Sequence, residues 1–225
     1  MIPPEQNAAF VAAMEDVLGL YAEPYSAQFP VVCFDERPCF LIADVLTPVP
    51  LKLGQPMRYD YEYEKKGSAN LFGFLEPGTG KRHVQVTARR TKRDFALIMN
   101  TCLPCSTRPP PKYVWCSITS TPTPLRHSMT PFLPRRQEAW HVGLSFTSRP
   151  STAPWLNAVE LEFAALAKQC LDRRIGSTEE LTTEVTAWCR ERNVSGPTID
   201  WRFDTPTARK KLKRVCPATE VTGQN

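Results

Sequence analysis

Apolar residues recur at helical or strand spacing over most of the chain, and these periods predict its elements. Helical spacing and capping signals predict helices over residues 8–21, from Trp155 to Cys170, from Ser177 through Trp188, and after Thr205-Pro206. Short apolar or alternating runs predict strands at Val31–Phe34, Tyr59–Glu64, Ala69–Leu75 and His83–Thr87. The rest of residues 44–68 reads as loop, and Thr91–Asn100 is expected to begin a helix.

The middle of the chain has a different character. Residues 101–153 contain nine prolines, three of the eight cysteines and a single acidic residue, Glu138. No aspartate occurs between Asp94 and Asp172, and the apolar residues of this stretch follow neither the strand period nor the helical period. Unstructured loops of that length are uncommon inside compact domains, so an ordinary loop is a poor interpretation.

Composition bounds the class of protein. The chain has 225 residues, of which 42% are hydrophobic and 23% charged, and this fits one mid-sized globular domain. It has no apolar run near the roughly 18 residues of a membrane span and no secretion signal, so we expect a cytoplasmic protein without a membrane partner. The eight cysteines are scattered, which favours reduced thiols over a disulfide framework. The net charge of +5 permits a nucleic-acid partner.

Two acidic residues are the strongest candidates for chemistry. Asp35 is expected where a buried strand ends, and Glu160 lies beside the apolar stripe of a helix. Such acids can converge on divalent metal ions, and two metals would activate water and stabilise the leaving oxygen in phosphodiester cleavage. Taken alone, each acid is more often a surface or capping residue. Glu36 follows Asp35 directly, so it should point to the opposite face of the strand and cannot replace a missing acid.

Six segments carry a resemblance to a known family. They are Val31–Glu36, Arg58–Tyr63, Gly67–Phe72, Arg89–Lys92, Trp155–Glu160 and Gln169–Arg174. In this order they resemble the catalytic domain of bacterial insertion-sequence transposases in the mariner-like DDE superfamily. The resemblance covers residues 1–100 and 155–217.

The resemblance implies a fold and a reaction. The fold would be α/β, a ribonuclease-H-like mixed sheet flanked by helices, with residues 1–217 as the catalytic domain and 218–225 as a tail. The protein would cut and rejoin DNA strands at transposon ends with two magnesium ions, or with manganese, and would use no small-molecule substrate. Asp35 and Glu160 would be the first and third metal-binding acids. The resemblance also leaves a homodimer open.

Two departures from the family pattern change this expectation. We expect the chain to start after the helix-turn-helix region with which family members read transposon ends. The family's second acid, an aspartate in a strand reading V-L-D-N-L-N-T-H, would fall in the stretch that has no aspartate. We therefore expect a disrupted centre in which residues 102–153 pack poorly, a sheet that lacks one central strand, and an inactive remnant of a transposase.

Two alternative functions and one group of basic residues complete the candidates. The chain could be a non-catalytic DNA-binding or regulatory protein derived from a transposase. It could also be a zinc-stabilised module, although a lone CxxC is weak support for the ligand set Cys102, Cys105, Cys116 and His127. The candidates for DNA contact, which could equally form a solvated face, are Arg89, Arg90, Lys92, Arg209, Lys210 and Lys213.

Two compensating frameshifts, near Thr101 and near Pro154, would explain the altered middle. Codons allowed for residues 114–123, read two bases out of step, can spell V-V-L-D-N-L-N-T-H, with the aspartate codon straddling Ser117 and Ile118. Codons for residues 146–153 can likewise spell H-F-T-P-K-H-G-S. The alternative is a natural proline-rich insertion. Sequencing codons 95–156 decides: we expect the aspartate motif in another frame, and its absence from every frame would refute the frameshift.

Overall fold

A five-stranded mixed sheet forms the centre of the protein. The computed structural model describes residues 7–50, 52–56, 60–91, 93–95, 97–98, 154–196 and 198–215, and the backbone of 114–117 and 145–148. The strands are β1 (Val31–Asp44), β2 (Tyr63–Glu76), β3 (Lys81–Thr87), β4 (Val114–Ser117) and β5 (Ser145–Ser148), in the order β3-β2-β1-β4-β5. The β1–β2 and β2–β3 pairs are antiparallel, whereas β1–β4 and β4–β5 are parallel.

Strand β1 is much longer than the predicted run Val31–Phe34. It pairs with β2 from Cys33 to Asp44, with one shift of register between Leu41 and Ile42. The polar residues after Phe34 hid this extension from the apolar pattern. Strand β4 pairs with β1 only at residues 31–34. Beyond them one edge of β1 has no neighbouring strand in the described residues, so Pro38, which has no backbone N–H, is tolerated there. Asp35 therefore lies inside the strand and not, as predicted, at its end.

The middle of the chain supplies two strands, so the expectation that the sheet lacks a central strand is wrong. The β1–β4 register runs from Val31 opposite Val114 to Phe34 opposite Ser117, and β5 continues the sheet beside β4. Every non-proline residue offers a backbone donor and acceptor, so these strands can form without an alternating apolar pattern. The predicted poor packing of residues 102–153 concerns side chains outside the described part of the chain.

The sheet is flanked by α1 (Ala8–Ala22), the 3-10 turn Pro154–Leu156, α2 (Val159–Gln169), α3 (Thr178–Ser195) and α4 (Thr205–Lys211). The predicted capping box opens α3, because Ser177 Oγ accepts from Glu180 N at 3.1 Å. Helix α2 begins later than predicted, since the 3-10 turn precedes it. Helix α4 is capped by Asp204 and not by Thr205. None of the described helices has the length and apolarity needed to cross a membrane.

The described residues agree with the helix expected to begin in Thr91–Asn100. Residues 93–95 and 97–98 are helical. Asp94 N donates to Thr91 Oγ1 at 3.1 Å, and Thr91 N donates to Asp94 Oδ2 at 2.9 Å. These reciprocal bonds satisfy donors at the start of the helix, and hydrogen bonding by Thr91 lowers the pKa of the Asp94 carboxyl.

Apolar side chains are buried on both faces of the sheet. One face belongs to the main core, in which α1 and α2 contribute Met14, Phe163 and Leu166 against Leu71 and Leu75. The other face carries a cluster of aromatic rings around Phe34, whose centroid lies 4.9–6.0 Å from those of Phe72, Phe74 and Phe95. Because β1 contributes to both clusters, its position is fixed from both sides.

Arg174 fixes the connection between β1 and β2. Its guanidinium donates to Asp44 Oδ1 at 2.6 Å, to the carbonyl of Glu62 at 2.7 Å and to that of Asp60 at 2.6 Å. The predicted strand Tyr59–Glu64 is therefore largely wrong, since β2 begins only at Tyr63. The carbonyls just before it bond to an arginine and not to a neighbouring strand.

A buried ion cluster joins α2 to β3 and α3. Arg82 is 4% exposed and Glu162 5%, and Arg82 Nε lies 2.9 Å from Glu162 Oε2 as an ion pair without the alignment of a hydrogen bond. Arg192 donates to the same carboxylate at 2.7 and 3.2 Å. Burial lowers the pKa of Arg82, whereas the hydrogen bond with Glu162 raises the pKa of Arg192. The carboxylate thus fixes where α2 lies on the sheet.

Replacing Glu162 should test how much this cluster contributes. Glu162→Ala leaves Arg82 buried without its counter-charge, and we expect the free energy of unfolding to fall by about 3–5 kcal/mol. The matched control is Glu179→Ala, which removes an exposed glutamate from α3 and should change stability by about 0.5 kcal/mol or less. Urea denaturation measures both. A Glu162→Ala protein as stable as the control would show that Arg82 is compensated elsewhere.

Candidate active site

Asp35 is held in one orientation inside the sheet. The residue is 7% exposed. Its Oδ1 accepts from the Glu36 backbone N–H at 2.8 Å, and its Oδ2 accepts from Asn157 Nδ2 at 3.3 Å. A carboxylate oxygen has room for more than one partner, so these bonds orient the group without excluding a cation. The first predicted acid is therefore fixed by a strand and by a residue from the far end of the chain.

Asn157 connects Asp35 to the helix that carries Glu160. The asparagine is 1% exposed, and its Nδ2 also donates to the carbonyl of Phe34 at 2.9 Å. Its backbone carbonyl accepts from Glu160 N at 3.0 Å. Glu160 is half-buried in the first turn of α2. The structure thus brings the two segments that bear the predicted acids together through one buried asparagine.

No role for Asn157 was predicted from the sequence. It lies in the segment Trp155–Glu160, which carried the resemblance, and its signal is an amide between apolar neighbours one helical turn before an acid. Buried polar side chains are usually hydrogen-bonded, so an asparagine in an apolar stripe predicts a specific partner. The pattern alone cannot name that partner, because Phe34 and Asp35 are distant in sequence.

A glycine lets α2 approach the strands closely at this point. Gly73 pairs with Asp35 across β1 and β2. A Cβ atom at position 73 would lie 2.6 Å from Phe163 Cζ and 3.1 Å from Val159 Cγ2, both on α2. A larger residue would force the buried Phe163 ring, or α2 itself, to shift.

Glu36 points away from Asp35, as the strand period predicts. Its carboxylate lies 3.3 Å from Arg90 Nε, and burial raises the pKa of this carboxyl. The Asp35 side chain contacts Asn157 on the face of the sheet that α2 covers. Side chains of a strand alternate between the two faces, so Glu36, two residues after Phe34, lies on the face of the aromatic cluster. Glu36 therefore cannot join Asp35 and Glu160 at one site.

Strand β4 ends beside Asp35. Its last residue, Ser117, is opposite Phe34, the residue before Asp35. Parallel strands bring their carboxyl ends to the same edge of a sheet, and ligands of α/β proteins commonly bind at that edge. An acid directly after β4 would therefore lie near Asp35. In this sequence the residues after Ser117 are Ile118, Thr119 and Ser120, and none is acidic.

The acids present suit magnesium or manganese in kind but not in number. Carboxylate oxygens are the ligands that these hard cations prefer. Across the part of the chain that the structure describes, however, no group of three or more His, Cys, Asp or Glu side chains could hold a metal ion. Glu138 and the proposed zinc ligands Cys102, Cys105 and His127 lie outside the described residues, as does the side chain of Cys116. The described acids therefore do not by themselves complete a two-metal site.

The predicted DNA-contact residues fall into distinct environments. Arg89, Arg90, Lys210 and Lys213 are exposed, and Lys92 lies outside the described residues. Arg90 pairs with Glu36 as described above.

Arg209 holds α4 against α1. Its guanidinium donates to both carboxylate oxygens of Glu15, at 2.5 and 2.8 Å, and this hydrogen bonding lowers the pKa of the Glu15 carboxyl. Because two parallel bonds fix the guanidinium within the fold, Arg209 is the weakest candidate for a phosphate contact among the described members of the predicted DNA-contact set.

A protein-family model described as DDE superfamily endonuclease matches residues 30–182, which include Asp35, Asn157 and Glu160. The same residues contain β1 to β5 and α2. The match thus spans more than half of the chain and every element of the candidate site. Among curated proteins, no match was found.

Solved structures of the Mos1 transposase share this fold. The Mos1 transposase paired-end complex with left transposon end matches with a TM-score of 0.54 and 14% identity, over 88% of this chain and 58% of that chain. The Mos1 Strand Transfer Complex gives 0.53 and 15% over 84% and 56%, and the Mos1 mariner paired end complex with Mn gives 0.52 and 14% over 85% and 58%. The fold is thus ribonuclease-H-like, and the chain spans less than two thirds of the length of these proteins.

Proposed function

We propose a function from the premise that this chain belongs to the DDE superfamily endonucleases. The chain is the scaffold of a catalytic domain, and the enzyme it derives from is the transposase-type endonuclease of an insertion sequence. It retains the first and third acids, Asp35 and Glu160, and lacks the second. In this form it binds DNA without cleaving it, which makes it a defective enzyme and a DNA-binding protein by function.

One observation carries the proposal: the sequence has no acid directly after β4, where a further acid is needed beside Asp35. Strand β4 ends opposite Phe34, and the sequence after it has no acid before Glu138. Two-metal cleavage needs carboxylates that hold both ions about 3.5–4 Å apart, and magnesium tolerates incomplete coordination poorly. Glu36, the nearest acid in sequence, is paired with Arg90 on the other face.

Neighbouring residues hold the two remaining acids in position. Asn157 and the Glu36 backbone N–H orient the Asp35 carboxylate, and Glu162 fixes α2 in the core so that Glu160 stays near β1. In an intact site, two magnesium or manganese ions would activate water and stabilise the leaving oxygen. One Mos1 mariner complex was solved with Mn, which supports this choice of cation for the family.

DNA is the proposed partner, with transposon ends as its natural form. The Mos1 structures that share the fold include a complex with a left transposon end. Arg89, Lys210 and Lys213 are exposed and can therefore contact phosphates. Such contacts are independent of base sequence and weaken steeply with salt, so binding by this chain should be weak and salt-sensitive.

The cleavage part of the proposal predicts a clear difference between two proteins. The present chain should not nick DNA with transposon ends above background in magnesium or manganese. A chain whose middle is returned to the family's frame should nick at least about 100-fold faster, because a metal site supplies several kcal/mol of transition-state stabilisation. Supercoiled plasmid carrying both ends reports nicking directly.

Three variants sharpen that assay. Asp35→Asn and Glu160→Gln, each placed in the frame-restored chain, should abolish nicking and show that the retained acids are used. Ile118→Asp in the present chain tests whether an acid after β4 suffices for partial activity. Equal nicking by the present and the frame-restored chains would mean that the missing aspartate is not needed, and the site assignment would be wrong.

The proposal that the chain binds DNA predicts different effects for three basic residues: Arg209 and Lys210 in α4, and Lys213 just after it. Lys210→Ala and Lys213→Ala should each reduce the slope of log affinity against log salt by about 1, since each removes a phosphate contact. Arg209→Ala should leave the slope unchanged and lower the free energy of unfolding by about 0.2–1 kcal/mol. Fluorescence anisotropy on a duplex at several salt concentrations measures the slope.

The stability effect of Arg209→Ala should depend on pH. Arg209 lowers the pKa of Glu15 from its usual 4.5, so the ion pair stabilises the fold above that pH and is lost as the pH falls through the lowered value. The mutant and the parent should therefore converge in acid. A changed salt slope for Arg209→Ala, equal to that of Lys210→Ala, would contradict the structural role and assign Arg209 to DNA.

A further inference from the structure

The hydroxyl of Tyr21 joins α1 to the turn that carries Asn157. Tyr21 lies in the last turn of α1. Its hydroxyl donates to the carbonyl of Leu156 at 3.0 Å and accepts from the backbone N–H of Ala158 at 3.1 Å. It also lies 3.1 Å from Cys33 Sγ, on β1. One oxygen atom therefore contacts the start of α2 and the strand that bears Asp35.

These two backbone contacts restrain the residue between them. The Leu156 carbonyl belongs to the peptide before Asn157, and the Ala158 N–H belongs to the peptide after it. Rotation about either backbone dihedral of Asn157 moves one of these groups away from the hydroxyl. The Tyr21 oxygen thus fixes the direction in which the Asn157 side chain leaves the backbone, toward Phe34 and Asp35.

The remaining contacts of Tyr21 support the same arrangement. A hydroxyl has one donor and two acceptor positions, and the donor is used by Leu156. The Cys33 thiol is therefore the donor in its contact with Tyr21. Cys33 and Asp35 are two residues apart on β1 and so share a face of the sheet. The Tyr21 ring is itself held by Trp201, with ring centroids 4.6 Å apart.

We infer that Tyr21 is a positioning residue of the acidic site: its hydroxyl orients Asn157, and Asn157 orients the Asp35 carboxylate. The inference rests on the proposed function for its meaning, since it concerns how the retained acids are arranged. The same turn places Glu160, whose N–H bonds to the Asn157 carbonyl. Tyr21 acts on the site through the backbone on either side of Asn157.

Tyr21→Phe tests the inference by removing one oxygen and keeping the ring. The full chain is compared by NMR with and without the substitution. We expect the Ala158 amide to exchange with solvent at least about tenfold faster, and the resonances of the Asn157 side-chain amide and the Glu36 amide to shift. The matched control is Tyr25→Phe, whose exposed hydroxyl donates only to Glu76 in the described contacts and should leave these signals unchanged. Unchanged Asn157 and Glu36 signals in Tyr21→Phe would overturn the inference.

A second NMR experiment, with Mn²⁺ added, distinguishes a failure of this inference from a failure of the proposed function. In the frame-restored chain, we expect Mn²⁺ to broaden the Glu36 and Glu160 amides, Asp35→Asn to abolish the broadening, and Tyr21→Phe to weaken Mn²⁺ binding about 10–100-fold. Broadening that Asp35→Asn removes but Tyr21→Phe leaves intact would overturn the positioning role. If no chain is broadened while Asn157 still loosens in Tyr21→Phe, the positioning role is supported and the proposed metal site fails.

Discussion

The buried side chain of Asn157 holds together the two parts of the molecule that carry acids. Its amide donates to β1 at Phe34 and Asp35, and its backbone carbonyl accepts from the first turn of α2. A buried donor without a partner costs about 1–3 kcal/mol, so the pairing is strongly preferred once the turn is buried. The arrangement of the acids depends on this contact, because Asp35 and Glu160 belong to distant parts of the chain.

Strand β1 gives that contact its surroundings. It pairs with β2 on one side and β4 on the other, and it lies between the main core and the aromatic cluster. Gly73 permits α2 to pack against the pair of strands, and the carboxylate of Glu162 fixes α2 against β3 and α3. The proposed lack of one acid is thus compatible with an ordered scaffold, because the contacts that order β1 and α2 involve other residues.

Sequence patterns predicted elements where burial is periodic and failed where pairing is decided by backbone alone. The stripes of α1 and α3 and the capping box at Ser177 are local, so they were read correctly. Strand β1 beyond Phe34 and strands β4 and β5 carry no such pattern, and hydrogen bonds to neighbouring strands define them. The run Tyr59–Glu64 shows the reverse case. It alternates like a strand, but Arg174 bonds to the carbonyls of Asp60 and Glu62, and β2 begins only at Tyr63.

By itself, the sequence determined the two candidate acids, the alternation that turns Glu36 away from Asp35, and the lack of an aspartate in the middle of the chain. Only the tertiary structure decided what each charge contacts. Arg209 meets Glu15 across 194 residues, and Asn157 meets Asp35 across 122. Local periodicity encodes which face of an element is apolar, but not which partner that face meets. The partners depend on how β1 and the helices pack, and that packing is set by contacts between segments that are far apart in sequence.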